Sequence, residues 1–229
     1  MATAVLIEDQ IEIPAITGLA DFRAWAGSDR FPESGRIDFV CGSIEVDMSP
    51  EDLHTHGTPK TELLVVIGTR VRQQALGELY IDRTRVSSLE ADLSVEPDIV
   101  FVSHESLESG RVRLVPRAGG QADRYIELEG APDLIIEVVS DSSAGKDTRR
   151  LPIAYWQAGV SEYWLVDARA PDLLYRIYRR GETQYEPAPV DAARFQYSRV
   201  LDSGYRLDRT RNPYGRLQYT LQEKQQGEV

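Results

Sequence analysis

The sequence predicts a mixed α/β fold, and three observations carry that prediction. Residues 132–167 read as strand, helix, strand, the order of a crossover unit that lays two parallel strands side by side. Residues 59–75 place Leu63, Val66, Ile67 and Val71 on one face of a long helix. The stretch after Tyr178, with its many Tyr and Arg, suggests antiparallel strands.

Taken in order, Gly18–Gly27 reads as a short helix with Leu19, Phe22 and Ala26 on one side. Arg36–Val40 and Ser43–Met48 read as two strands around a tight turn at Cys41-Gly42. The long helix follows, stopped near Gly77. Tyr80-Ile81 and Arg85–Ser87 are short strand candidates, and Pro97-Asp98 turns the chain into the apolar run Ile99–Val102. Ser103–Ser109 is long enough for one helical turn, and Arg124–Leu128 is extended. LIIEVVS, residues 134–140, is a strand apolar on both faces except for Glu137. Pro152 belongs in a first helical turn and disfavours helical geometry at Leu151, so the helix ending at Gly159 is expected to begin near Pro152, with Lys146–Arg150 in a loop. Tyr163–Val166 and Leu173–Tyr178 are the next strands, and four more are expected near 184–186, 195–201, 205–208 and 216–221. The expected organisation is an extended arm at 1–18, a single domain over 19–221 and a frayed polar tail at 222–229.

Composition narrows the function. The 229 residues are 41% hydrophobic and 28% charged, values of a globular protein with a core of its own. No apolar run approaches the ~20 residues of a membrane-spanning helix. The N-terminus lacks a basic region and meets Glu8 and Asp9 early, unlike a secretory signal. Cys41 is the one cysteine and has no partner in the chain, which suits a reducing cytoplasm. Three histidines without zinc-type spacing, and a Ser140 outside any G-x-S-x-G elbow, argue against a zinc site and a serine hydrolase. His54 and His56 are expected at the surface.

The net charge of −11 speaks against a generic nucleic-acid binder. It is uneven: residues 1–110 carry −12, while residues 173–216 carry +4 from arginine. Of 26 basic residues only Lys60, Lys146 and Lys224 are lysine.

Two carboxylates stand out. An ionised acid inside so apolar a strand needs a metal, a cation or an opening to water, because desolvation costs several kcal/mol; Glu137 is such an acid. Asp133 shares its strand face. Asp98 opens another apolar strand. A Pro-Asp at one strand start, a Glu inside the next long strand and a basic segment after it suit a hard divalent cation, which takes one or two carboxylates and fills its shell with water and phosphate oxygens.

This pattern resembles the PD-(D/E)XK nuclease superfamily and, within it, the Uma-two family of restriction endonucleases. The blocks that carry the likeness are GRIDFVCGSIEVDMSP, His56 leading into the helix, EPDIVFV, GAPDLIIEVVSDSS and AGVSEYWLVDAR, across roughly residues 19–180. The resemblance implies a restriction-endonuclease-like α/β fold: a mixed central sheet flanked by helices, with additional antiparallel strands. It implies a Mg²⁺- or Mn²⁺-dependent DNA endonuclease and a homodimer. Asp98 and Glu137 would be the metal ligands, with the main-chain carbonyl of Val138 as a third donor and Glu62 assisting from the first helix. Asp133 is a secondary candidate. The family lysine falls in an Asp-x3-Lys-x3-Tyr frame, here Asp147, Leu151 and Tyr155, so leucine occupies its place. Lys146 or Arg150 would then steady charge on the phosphate. The rival reading is a nuclease-fold protein with impaired catalysis, serving as a binding or assembly module.

Overall fold

The computed structural model describes residues 12–117 and 122–225. The first part holds helix α1 (Leu19–Ala26), strands β1 (Arg36–Val40) and β2 (Ser43–Asp47), helix α2 (Thr58–Gln74), and strands β3 (Gly77–Ile81), β4 (Arg85–Ser88), β5 (Leu93–Val95) and β6 (Ile99–Ser103). Next come α3 (His104–Glu108), β7 (Val112–Pro116), β8 (Tyr125–Gly130), β9 (Leu134–Val138), α4 (Leu151–Ala158) and β10 (Glu162–Asp167). The chain closes with β11 (Leu174–Arg180), β12 (Tyr185–Pro187), β13 (Gln196–Ser198), β14 (Ser203–Arg211) and β15 (Leu217–Gln225).

These strands form three sheets. Their orders are β2-β1-β5-β4-β8-β7, β12-β11-β10-β9-β6-β3 and β13-β14-β15. The second is the mixed central sheet: β9 and β10 are parallel, as the crossover order predicts, while β6 runs antiparallel to β9. Its two faces bury two different cores. Ile99, Phe101, Leu134 and Ile136 point to α2 and the third sheet, where Leu63, Ile67, Leu207 and Tyr219 meet them. Val100, Val102, Ile135 and Val139 point the other way, to α4 and the first sheet. The alternation follows from the two-residue period of a strand. It makes each strand apolar throughout, since both faces are covered.

Local chemistry explains the connections. Cys41 and Gly42 both take positive φ, 47° and 80°, the requirement of a two-residue hairpin turn between β1 and β2. Gly159 ends α4 at φ 94°, in the left-handed region that glycine tolerates.

The structure corrects several expectations. Lys146–Arg150 is not a loop but one wide, π-helical turn running directly into α4. A second wide turn, Leu53–Gly57, runs into α2 in the same way. Both precede a helix with proline in its first turn, Pro59 or Pro152. Proline has no N–H to bond four residues back, so the preceding turn widens instead of continuing an α ladder. Strand β7 is not among the expected strands, although Val112 and Leu114 alternate with Arg111 and Arg113, and β15 extends to Gln225, past the expected end at residue 221. Residues 226–229 of the expected tail, and 1–11 of the expected arm, lie outside the described residues. Among the described residues no helix is long and apolar enough to cross a membrane.

Candidate active site

The register Ile99↔Ile136 between β6 and β9, continued one step, sets Asp98 opposite Glu137. Both side chains lie on the α4 face of the central sheet, and both are almost wholly buried. The backbone ties them together. The N–H of Asp98 points to Glu137 Oε2 at 3.4 Å, and Asp98 Oδ2 accepts the N–H of Val138 at 2.7 Å. Tyr155, from α4, donates its hydroxyl to Glu137 Oε1 at 2.6 Å.

Cations gather around Asp98. Arg36, the first residue of β1, donates to Oδ1 at 3.0 Å, and Lys60 Nζ from α2 lies 3.7 Å from the same oxygen. His56, on the wide turn before α2, places Nε2 3.5 Å from Oδ2. Its Nδ1 lies 3.1 Å from Glu51 Oε2, without a hydrogen-bonding angle. Lys60 is held further by Glu51 and Asp82 at 3.0 Å each. A second buried pair adjoins: Lys146 Nζ donates to Asp38 Oδ2 at 2.5 Å, and Asp38 Oδ1 accepts the N–H of Glu96 at 3.0 Å. Asp147, next to Lys146, is buried, hydrogen-bonded by Ser143, and has one oxygen without a partner.

The carboxylates divide electrostatically. Burial opposes the charge on Asp98, but His56 beside it and the charges of Arg36 and Lys60 outweigh it and hold its carboxyl well below the usual range. Burial, with Asp98 and Asp147 nearby, pushes Glu137 well above its ordinary value. Burial pushes Asp147 up to about 6. Lys146 stays a firm cation: the charges of Asp38 and Glu137 outweigh its desolvation. The resident cations thus leave the ionisation of Glu137 and Asp147 uncompensated, Glu137 most of all.

Two open clefts lead to this cluster. One, of about 430 Å³, is lined by Arg36, Asp38, Asp47, Ser142, Ser143 and Lys146. The other, of about 270 Å³, is lined by Arg36, Glu51, His56, Asp82 and Arg83 among others. Arg36 borders both.

The donor set fits a hard divalent ion. It consists of facing carboxylates, and the charge deficit at Glu137 is one that a cation would relieve. A second set overlaps it: Glu51, His56 and Asp98 each offer a ligand atom, all within 4.8 Å of one another. Lys60 already competes for Glu51 and Asp98 in that set.

The profile of the Uma2 family, described as "Putative restriction endonuclease", matches residues 19–210. The chain belongs to the Uma2 family. A crystal structure from Anabaena variabilis, described as "a putative nuclease belonging to DUF820", superposes with a TM-score of 0.56 at 20% identity. The match covers 79% of this chain and 92% of that one. It shows a shared fold, the restriction-endonuclease-like α/β architecture. No curated protein shows significant sequence similarity.

Within this Uma2 chain the residues named from sequence part company. Asp98, Glu137 and Lys146 fall in or beside one cluster. Glu62 does not: its Oε1 accepts the N–H of Leu221 at 2.9 Å, on the far side of the central sheet with α2 and β15. Asp133 shares the face of Glu137 but lies four residues away, roughly 13 Å at strand rise. Its oxygens are taken by Ser103, Ser106 and Arg111. Arg150 is half-exposed and pairs with Glu45 at the rim of the larger cleft. Leu151, in the family lysine's place, is buried in the core with Val100 and Tyr155. His56 is buried rather than at the surface, while His54 is exposed.

Arg36, Asp38, His56, Lys60 and Asp147 were not singled out as site residues. A signal existed for two of them. Asp38 interrupts the apolar run of β1 as Glu137 interrupts β9. Lys60 and Lys146 are two of only three lysines in an arginine-rich chain.

Proposed function

We propose that this Uma2 protein is a Mg²⁺-dependent DNA endonuclease, with Asp98 and Glu137 as the carboxylate ligands of the ion and the carbonyl of Val138 as a third donor. The observation that carries the reading is the facing of Asp98 and Glu137 across β6 and β9, with Glu137 short of positive charge. A divalent ion held there supplies Lewis-acid activation of a phosphodiester and of water. The chain's own residues do the rest. Tyr155 fixes the Glu137 carboxylate by its hydroxyl. The Val138 N–H and His56 fix one oxygen of Asp98. Lys146, oriented by Asp38 and bordering the larger cleft, stabilises negative charge developing on the phosphate. Arg36 stays protonated and can bind phosphate but cannot act as a base. Asp133 and Glu62 take no part, being engaged elsewhere in the fold.

Cleavage of supercoiled plasmid and of single-stranded DNA in Mg²⁺ or Mn²⁺ tests the reading. The wild-type chain should cut and Glu137→Gln should not; cutting that survives the substitution refutes the site. The rival reading, a binding or assembly module that has lost catalysis, draws support from Leu151 in the lysine position. It predicts folded protein with neither cleavage nor metal binding.

A further inference from the structure

Arg36 differs from the other cations of the cluster. Lys60 spends its donors on Glu51 and Asp82, and Lys146 is bound to Asp38. Arg36 has five N–H donors. Among the described residues it makes one hydrogen bond, to Asp98 Oδ1. Its side chain is 20% exposed while that of Asp98 is 1% exposed. It therefore stands between a buried carboxylate and open space, and it lines both clefts.

Its place is also the one that conflicts most with a divalent ion at the facing carboxylates. Asp98 Oδ2 already takes the Val138 N–H and faces His56, while Oδ1 has cations alone beside it: Arg36 hydrogen-bonds it, and Lys60 Nζ stands off at 3.7 Å, held by Glu51 and Asp82. A guanidinium and a doubly charged cation on one buried oxygen repel strongly at low effective dielectric. One of them must give way. Arg36 can, because a cleft adjoins it and most of its donors are unspent.

We propose that Arg36 is a cation with two positions. In the metal-free protein it neutralises Asp98. When the ion binds it is released into the adjoining cleft, where its planar fork takes the oxygens of a nucleic-acid phosphate. The cleft offers that phosphate Ser142, Ser143 and Lys146 as well. No bond is made or broken in this exchange; one ion pair replaces another. It rests on the metal-site reading above, and it adds that metal and nucleic acid bind cooperatively because they compete for opposite partners of the same salt bridge.

The test is calorimetric titration of Mn²⁺ into the full chain, its Arg36→Gln and Arg36→Lys variants, and Glu137→Gln. Binding of a labelled DNA duplex is measured alongside by fluorescence anisotropy, with and without Ca²⁺. Arg36→Gln should bind Mn²⁺ about tenfold more tightly than the wild type, the loss of one competing charge. Arg36→Lys, which keeps the charge, should bind like the wild type. Ca²⁺ should tighten DNA binding by the wild type, and much less by Arg36→Gln. If folding of Arg36→Gln is impaired, Mn²⁺ should raise its melting temperature by more than it raises that of the wild type. If the wild type binds Mn²⁺ and Glu137→Gln does not, yet Arg36→Gln binds no more tightly, the role of Arg36 is wrong and the metal site stands. If neither the wild type nor Arg36→Gln binds Mn²⁺, both fall.

Discussion

Asp98 and Glu137 hold each other in place through the backbone: the N–H of Asp98 points to the Glu137 carboxylate, and the Asp98 carboxylate accepts the N–H of the residue after Glu137. This reciprocal link closes the β6–β9 pair just beyond its last paired residues. It also concentrates two buried acids where one strand pair would normally bury none.

Asp98→Ala should be strongly destabilising. It deprives Arg36 and Lys60 of a buried counter-charge and leaves the Val138 N–H without its acceptor. Breaking a buried ion pair from one side costs about 3–5 kcal/mol. Urea unfolding should show the midpoint fall without a change in slope.

Glu137→Gln should act in the opposite sense on stability. The side chain sits where burial and two neighbouring acids disfavour its charge. Removing that charge should raise the melting temperature by about 2–4 °C for each kcal/mol recovered in a chain of this size. The same variant should lose any melting shift on addition of Mg²⁺ or Mn²⁺. Stability and function would then trade against each other at one residue.

Much of this was legible before the structure. The parallel pair β9–β10, the long helix and the hairpin turn all follow from apolar periodicity and from glycine, and the misplaced acids Asp98 and Glu137 follow from the cost of burying charge. The partners of those acids were not legible. Arg36, Asp38 and Lys60 come from β1 and α2, far from residue 137 in sequence, and no local pattern states which distant strand lies over which. Glu62 and Asp133 show the same gap from the other side. Each sits at a plausible position in its own element, but long-range neighbours, Leu221 and Arg111, claim their oxygens. Lys146–Arg150 escaped because proline marks a helix start without telling whether the turn before it is coil or a wide helix.

Asp147 supplies a pH signature. Its carboxyl is raised to about 6 from an ordinary 3.8, so between those values the folded state binds more protons than the unfolded one. Stability therefore falls as pH rises through this window. Asp147→Asn should remove the loss: the variant should gain on the wild type from pH 4 to pH 7 by about 3 kcal/mol at most, and the gain should vanish below pH 4. Thermal melts across that range check the sign directly.

The Lys146–Asp38 pair predicts a double-mutant pattern. Lys146→Met leaves Asp38 buried without its cation and should cost about 3–5 kcal/mol, whereas pairing it with Asp38→Leu should recover most of the loss. The recovered double variant should still cleave DNA poorly, since the amine beside the larger cleft is gone.

Anomalous diffraction from crystals grown with Mn²⁺ tests the central claim most directly. A manganese peak about 2.1 Å from carboxylate oxygens of both Asp98 and Glu137, with Arg36 turned away from Asp98, is the predicted result. A peak held by Glu51 and His56 instead, or none at saturating Mn²⁺, would contradict it.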